Sequence, residues 1–178
     1  MSAKKLSFLA LFTALNCITT WLLPIPTGLG NVNFADCIAY LAVALFGFYA
    51  IFVGSIGGFF ADLLTGYAAF APFTLVVKAV MAFVAWGILS LWKKRKAQPS
   101  RLMQTAAYLT SFLGGGAMMV VGYFFTNWIL TGSAQSALLG GVPFDSVQAL
   151  VCAVGGTFLA VLFTNSPALS RFFQEKKN

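Results

Sequence analysis

Histidine is absent from this 178-residue chain, only 8% of its residues are charged, and its four acidic side chains are outnumbered by eleven basic ones. The three cysteines, Cys17, Cys37 and Cys152, form no CxxC pair, so no zinc or haem set is recognisable and no cofactor is expected. They read as small apolar fillers. A membrane enzyme acting on a lipid-soluble substrate would need nucleophile, base or metal groups within reach of one another, and the chain is poor in all three. A GxxxxGK(S/T) phosphate loop is also missing, so any ATP hydrolysis is expected elsewhere. So little charge leaves no soluble surface to build, which excludes an ordinary soluble domain.

What the chain has instead is apolar length. It is 60% hydrophobic, with a mean hydropathy of +0.88. A crossing takes about 20 apolar residues, so there is room for roughly five or six and no appended soluble domain. One all-α integral membrane domain over residues 1–178 is the expectation, with Met1 to Lys5 and the apolar stretch after them kept as a first helix rather than a leader.

Four apolar runs are clear: Leu6 to Leu23, Pro72 to Trp92, Leu102 to Leu130 and Phe144 to Phe163. The stretch from Phe34 to Leu64 would be about 46 Å long as one helix, against a hydrocarbon thickness of about 30 Å, so two helices turning near Gly47 are expected. The basic residues favour the same count. They fall into three groups, Lys4 and Lys5, then Lys93, Lys94, Arg95, Lys96 and Arg101, then Arg171, Lys176 and Lys177. Six crossings place all three in the cytoplasm with both termini, whereas five would split them. The basic residues therefore read as topology signals rather than a nucleic-acid surface. The loops Pro24 to Asn33, Thr65 to Ala71 and Thr131 to Pro143 then face outward, and none holds a Lys or Arg.

Lys78 is the exception, about 9 Å into its helix. A lysine at depth costs roughly 2.5–3.5 kcal/mol on insertion scales, so a partner or a polar cavity is required. Asp62, near the end of the preceding helix, is the expected partner, and the pair reads either as a structural ion pair or as the lining of a solute cavity. Asp36 lies near the start of the second helix after Asn31 and Asn33, where the helix dipole favours it. Tyr123, Asn127 and Trp128 near the outer end of the fifth helix, and Gln148 near the outer start of the last, add polarity to the same half. Trp21 and Trp128 also suit an interfacial aromatic belt. Small residues mark close helix contacts: Ala10 and Ala14 share a face with Ser7 and Leu11, Gly54, Gly57, Gly58 and Ala61 form a smooth stripe, and Gly114-Gly115-Gly116 suggests a kink or a broken helix.

Three segments carry a family likeness: Asn31-Val-Asn-Phe-Ala-Asp36, Gly57-Gly-Phe-Phe-Ala-Asp-Leu-Leu-Thr-Gly-Tyr67 and Ala71-Pro-Phe-Thr-Leu-Val-Val-Lys78. Together they resemble the substrate-binding S components of energy-coupling factor (ECF) vitamin transporters, most of all the pyridoxine and hydroxymethylpyrimidine branch. The resemblance implies six helices in a bacterial plasma membrane and an outward-opening pocket under the loops after the first and third helices. It implies as partners one transmembrane coupling subunit, docked on Ala10 and Ala14, and two ATP-binding subunits. On this basis Tyr67 and Phe73 are expected to stack on the ring of a vitamin, Asn33, Asp36, Lys78, Tyr123, Asn127 and Gln148 to surround its substituents, and Asp62 to orient Lys78. Pyridoxine is the first expectation, with hydroxymethylpyrimidine and riboflavin behind it. A stand-alone transporter driven by an ion gradient is the competing reading, weakened by the lack of an obvious inverted repeat.

Overall fold

The computed structural model describes residues 2–27, 29–95 and 100–166, the side chain of Arg95 excepted. Helix α1 spans Ala3–Leu22, capped by the Ser2 hydroxyl, which accepts from the Lys5 N–H. A two-residue antiparallel ladder follows, β1 (Ile25–Pro26) on β2 (Asn31–Val32), the only strands among the described residues. Then come α2 (Ala35–Phe46), a 3-10 turn (Gly47–Ala50), α3 (Ile51–Leu64), α4 (Ala71–Arg95), α5 (Arg101–Thr131), the single turn α6 (Ala134–Ser136), a π segment (Ala137–Gly141) and α7 (Val142–Asn165).

Five helical stretches among the described residues are long and apolar enough to cross a membrane: Ala3–Leu22, Ala35–Leu64, Ala71–Lys94, Arg101–Thr131 and Ala134–Asn165. The second is folded on itself. Gly47 takes φ +64, a left-handed conformation open to glycine, and ends α2. A Cβ on Gly54 would lie 3.3 Å from that of Ala39, whereas fifteen residues of straight helix would separate them by about 22 Å. α2 and α3 are therefore antiparallel arms of a hairpin.

The helices close into a ring in which α1 packs on α3, α3 on α4, α4 on α5, α5 on α7, α7 on α2 and α2 on α1. Its outside is apolar. Along α7 the residues Leu150, Val154, Phe158 and Leu162 repeat every four positions and are exposed, Phe158 by 67%, while Gln148, Cys152 and Ala160 on the opposite side are buried. Large aliphatic and aromatic side chains turned outward around a partly polar interior suit lipid as the surrounding medium. The centre holds Tyr40 stacked on Phe112, with ring centroids 4.6 Å apart, together with Met81 and Met119.

Two expectations change here. The Gly114-Gly115-Gly116 run does not break its helix, since α5 is continuous from Arg101 to Thr131. These glycines serve close approach: a Cβ on Gly115 would lie 2.8 Å from the Met81 carbonyl, and one on Gly116 2.9 Å from the Ala149 Cβ. The segment from Thr131 to Pro143 is a loop only at its start. Gly132, at φ +70, ends α5, Ser133 caps the next turn, and helical structure resumes at Ala134.

Polarity is segregated along the bundle. Lys4, Lys5, Lys93, Lys94 and Arg101 lie at helix ends on one side, where the Lys5 ammonium sits 4.3 Å from the ring centre of Tyr49 in the α2–α3 turn. Lys96, Arg171, Lys176 and Lys177 fall outside the described residues. The opposite end carries the C-termini of α1, α3 and α5 and the N-termini of α2, α4 and α7, and there the polar side chains converge.

Candidate substrate-binding site

Asn33 shapes the entrance. Its Oδ1 accepts from the Ala35 N–H at 3.0 Å and so starts α2, while its own backbone N–H donates to Gln148 Oε1 at 3.0 Å. One residue thereby ties the end of the β1–β2 hairpin to α7. Asn16 of α1 adds a second tie, its Nδ2 donating to the Ala35 carbonyl at 2.7 Å. Asp36 follows in the first turn of α2, only 2% exposed.

Lys78 of α4 reaches across to Asp36, with Nζ 2.7 Å from each carboxylate oxygen. Its third contact is Met119 Sδ at 3.2 Å, and the Tyr123 ring centre lies 5.4 Å away. Gln148 Nε2 donates to Asp36 Oδ2 at 2.6 Å. This corrects the expected pairing with Asp62. Asp62 lies within electrostatic reach of Lys78, beside the Thr74 hydroxyl, but forms no salt bridge with it. The sequence places Asp62 on the helix next to α4 and so makes it the obvious partner, whereas ring closure through α2 and α7 brings Asp36 nearer.

Asn16, Asn33, Asp36, Asp62, Lys78 and Gln148 line one cavity with Thr20, Leu29, Gly30, Asn31, Tyr67, Phe70, Thr74, Tyr123, Asn127 and Asp145. The non-atom space between them is about 630 Å³, open solvent at the mouth included. Of the side chains expected there, Asn33, Asp36, Asp62, Tyr67, Lys78, Tyr123, Asn127 and Gln148 are brought together. Phe73 is not. It stands half-buried outside the lining, and Phe70, edge-on to Tyr67 at 6.0 Å between ring centres, takes the corresponding place. Phe70 lies in the turn before α4, so helical spacing counted from Pro72 could not reach it.

Asn16, Thr20, Thr74 and Asp145 escaped the sequence reading. The first three are single uncharged polar residues within apolar runs, a weak signal, whereas Asp145, an acidic residue in the first turn of a helix, has an ordinary explanation in the helix dipole. Three buried side-chain atoms in the lining lack a hydrogen-bond partner: Asp62 Oδ2, Asn127 Oδ1 and Asp145 Oδ2. Buried polar atoms are paired as a rule, so three orphans on one cavity mark where an occupant would bind. Ala10 and Ala14 lie away from this site, exposed on the outer face of α1 beside Ser7 and Leu11. Gly57 and Gly58, by contrast, are buried against α1 and α4.

A multi-pass helical membrane protein that gathers its buried polar groups around a cavity at one end has the build of a substrate-binding membrane protein. The chain belongs to the family described as the ECF-type riboflavin transporter S component, whose model matches residues 1–165. This family is a transporter component and not an enzyme in itself. The chain is 28% identical over 173 residues to the thiamine precursor transporter HmpT of Lactococcus lactis subsp. cremoris, covering 95% of this chain and 93% of the relative. It is also 32% identical over 148 residues to an uncharacterised protein of Pyrococcus woesei, covering 80% and 86% respectively.

Proposed function

We propose that this chain captures a single-ring heteroaromatic vitamin or vitamin precursor bearing hydroxymethyl groups, outside the cell, for ATP-driven uptake by an ECF-type importer of the ABC class. The observation that carries the reading is the cavity at the end of the bundle opposite Lys4, Lys5, Lys93, Lys94 and Arg101. With basic ends held in the cytoplasm, the cavity opens outward. The α2–α3 hairpin then counts as two crossings, six in all, and both termini are cytoplasmic. Tyr67 and Phe70 supply ring contacts at the mouth, while Asn127, Asp62 and Asp145 supply polar ones.

Pyridoxine is the first candidate and hydroxymethylpyrimidine the second, the latter supported by the likeness to a thiamine precursor transporter. Riboflavin, named in the family description, is the larger alternative. Transport needs partners: a coupling subunit in the membrane, docked on the Ala10 and Ala14 face, and two ATP-binding subunits.

Uptake of radiolabelled pyridoxine and hydroxymethylpyrimidine into proteoliposomes tests this reading. The chain with its coupling and ATP-binding subunits is expected to accumulate one of the two only when ATP is supplied. Accumulation by the chain alone, driven by an imposed ion gradient, would replace the proposal with a secondary transporter.

A further inference from the structure

Three carboxyl groups line the cavity, on Asp36, Asp62 and Asp145, against one ammonium, on Lys78. An ammonium has three N–H donors. Those of Lys78 face Asp36 Oδ1 and Oδ2, each at 2.7 Å, and Met119 Sδ at 3.2 Å. Asp36 is satisfied in turn by Lys78 and by Gln148. The only cation of the lining therefore commits two donors to Asp36 and turns the third to a weak thioether acceptor. An anion that drew Lys78 away from Asp36 would leave a buried carboxylate without its counter-charge.

The unsatisfied groups have the opposite character. Asp62 Oδ2 and Asp145 Oδ2 are acceptors without donors, on α3 and α7, and Asn127 adds its amide from α5. Asp62 is 6% exposed and Asn127 4%. Asp145 lies within electrostatic reach of both Asp36 and Lys78, so its carboxyl belongs to the same field. An occupant that brings N–H donors, with or without positive charge, satisfies what the protein leaves open. A hydroxyl can donate one hydrogen bond, an exocyclic amine two or three, and a phosphate or carboxylate none.

Resting on the ring-binding reading above, we infer that this site prefers amino-bearing rings and rejects phosphorylated or carboxylated ones, with Asp62 and Asp145 as the residues that set the preference. Titration calorimetry on the full detergent-solubilised chain reads this directly with two matched series. One is pyridoxamine, pyridoxine and pyridoxine 5′-phosphate. The other is 4-amino-5-hydroxymethyl-2-methylpyrimidine, its counterpart with a hydroxymethyl group in place of the 4-amino group, and its phosphate ester. In whichever series binds, the amino member is expected to bind at least about tenfold more tightly than the hydroxy member, and the phosphate ester at least about a hundredfold more weakly than its parent.

Asp145→Asn is expected to weaken the amino member more than the hydroxy member, reducing the amino-to-hydroxy ratio to about threefold or less. A purely structural role would weaken both members together. Asp62→Asn should behave alike, and because Asp62 is the more deeply buried, thermal unfolding accompanies that variant and Asp145→Asn carries the test if it fails to fold. A phosphate ester bound within about tenfold of its parent, or an amino member no tighter than its hydroxy counterpart, overturns the inference and leaves the ring-binding reading standing. No binding of either series by the folded chain removes both.

Discussion

Lys78 and Asp36 are joined through both carboxylate oxygens at 2.7 Å, across 42 residues of sequence. With Gln148 on the same carboxylate and Met119 on the same ammonium, the pair links α2, α4, α5 and α7 at the base of the cavity. A charge inside a membrane bundle persists when its partner and remaining hydrogen bonds are in place, and both are present here. The pair therefore acts as a frame for the site, while the groups that lack partners stand above it.

Removing one member of the frame leaves the other stranded. Lys78→Ala is expected to cost about 3 kcal/mol of stability, and Asp36→Ala a similar amount. The double variant should cost clearly less than the two together, since neither charge is then left alone. Asp62→Asn should cost less than about 1 kcal/mol in the empty protein, because Asp62 holds no ion pair there. Thermal unfolding in detergent checks the set, and additive losses for Lys78 and Asp36 would contradict the pairing.

Two neighbouring phenylalanines should differ sharply. Phe70→Ala is expected to weaken ligand binding about tenfold, the loss of one ring contact. Phe73→Ala, outside the lining, should stay within about twofold. Equilibrium binding with both variants decides between the places assigned by the sequence and by the fold.

Much of this site was legible beforehand because charge inside an apolar helix requires a reason. Lys78, Asp36 and Asp62 stand out on that ground alone, and the Gly47 turn follows from comparing helix length with membrane thickness. What sequence could not supply was the order of helices around the ring. Adjacency in sequence pointed Lys78 to Asp62, whereas α2, inserted between α1 and α7, carries Asp36 to it. The Gly114 to Gly116 run was ambiguous for a related reason. The sequence suggested a kink or a broken helix, and only the fold shows the approach of Met81 and Ala149 that these glycines admit.

That close approach has a consequence for stability. Gly115→Ala places a Cβ 2.8 Å from a backbone carbonyl that cannot rotate away, so a loss of about 1–3 kcal/mol is expected. Gly87→Ala meets nothing within 4 Å and should be neutral or stabilising by up to about 1 kcal/mol. Unfolding temperatures of the two variants provide the comparison, and equal tolerance would argue against close packing of α4 on α5.

The exposed small face of α1 gives a different signature. Ala10→Leu with Ala14→Leu should leave unfolding temperature and ligand affinity unchanged while abolishing co-purification with a coupling subunit. Retained co-purification would move the docking surface elsewhere.

Capture of a ring solute by the chain alone underlies the whole account, and equilibrium binding to the purified, detergent-solubilised protein across a panel of B vitamins and ring precursors measures it. The account predicts that one single-ring member binds with a dissociation constant below the micromolar range, weakened about tenfold or more by Asn127→Ala. A chain that unfolds cooperatively yet binds no member of the panel would contradict it.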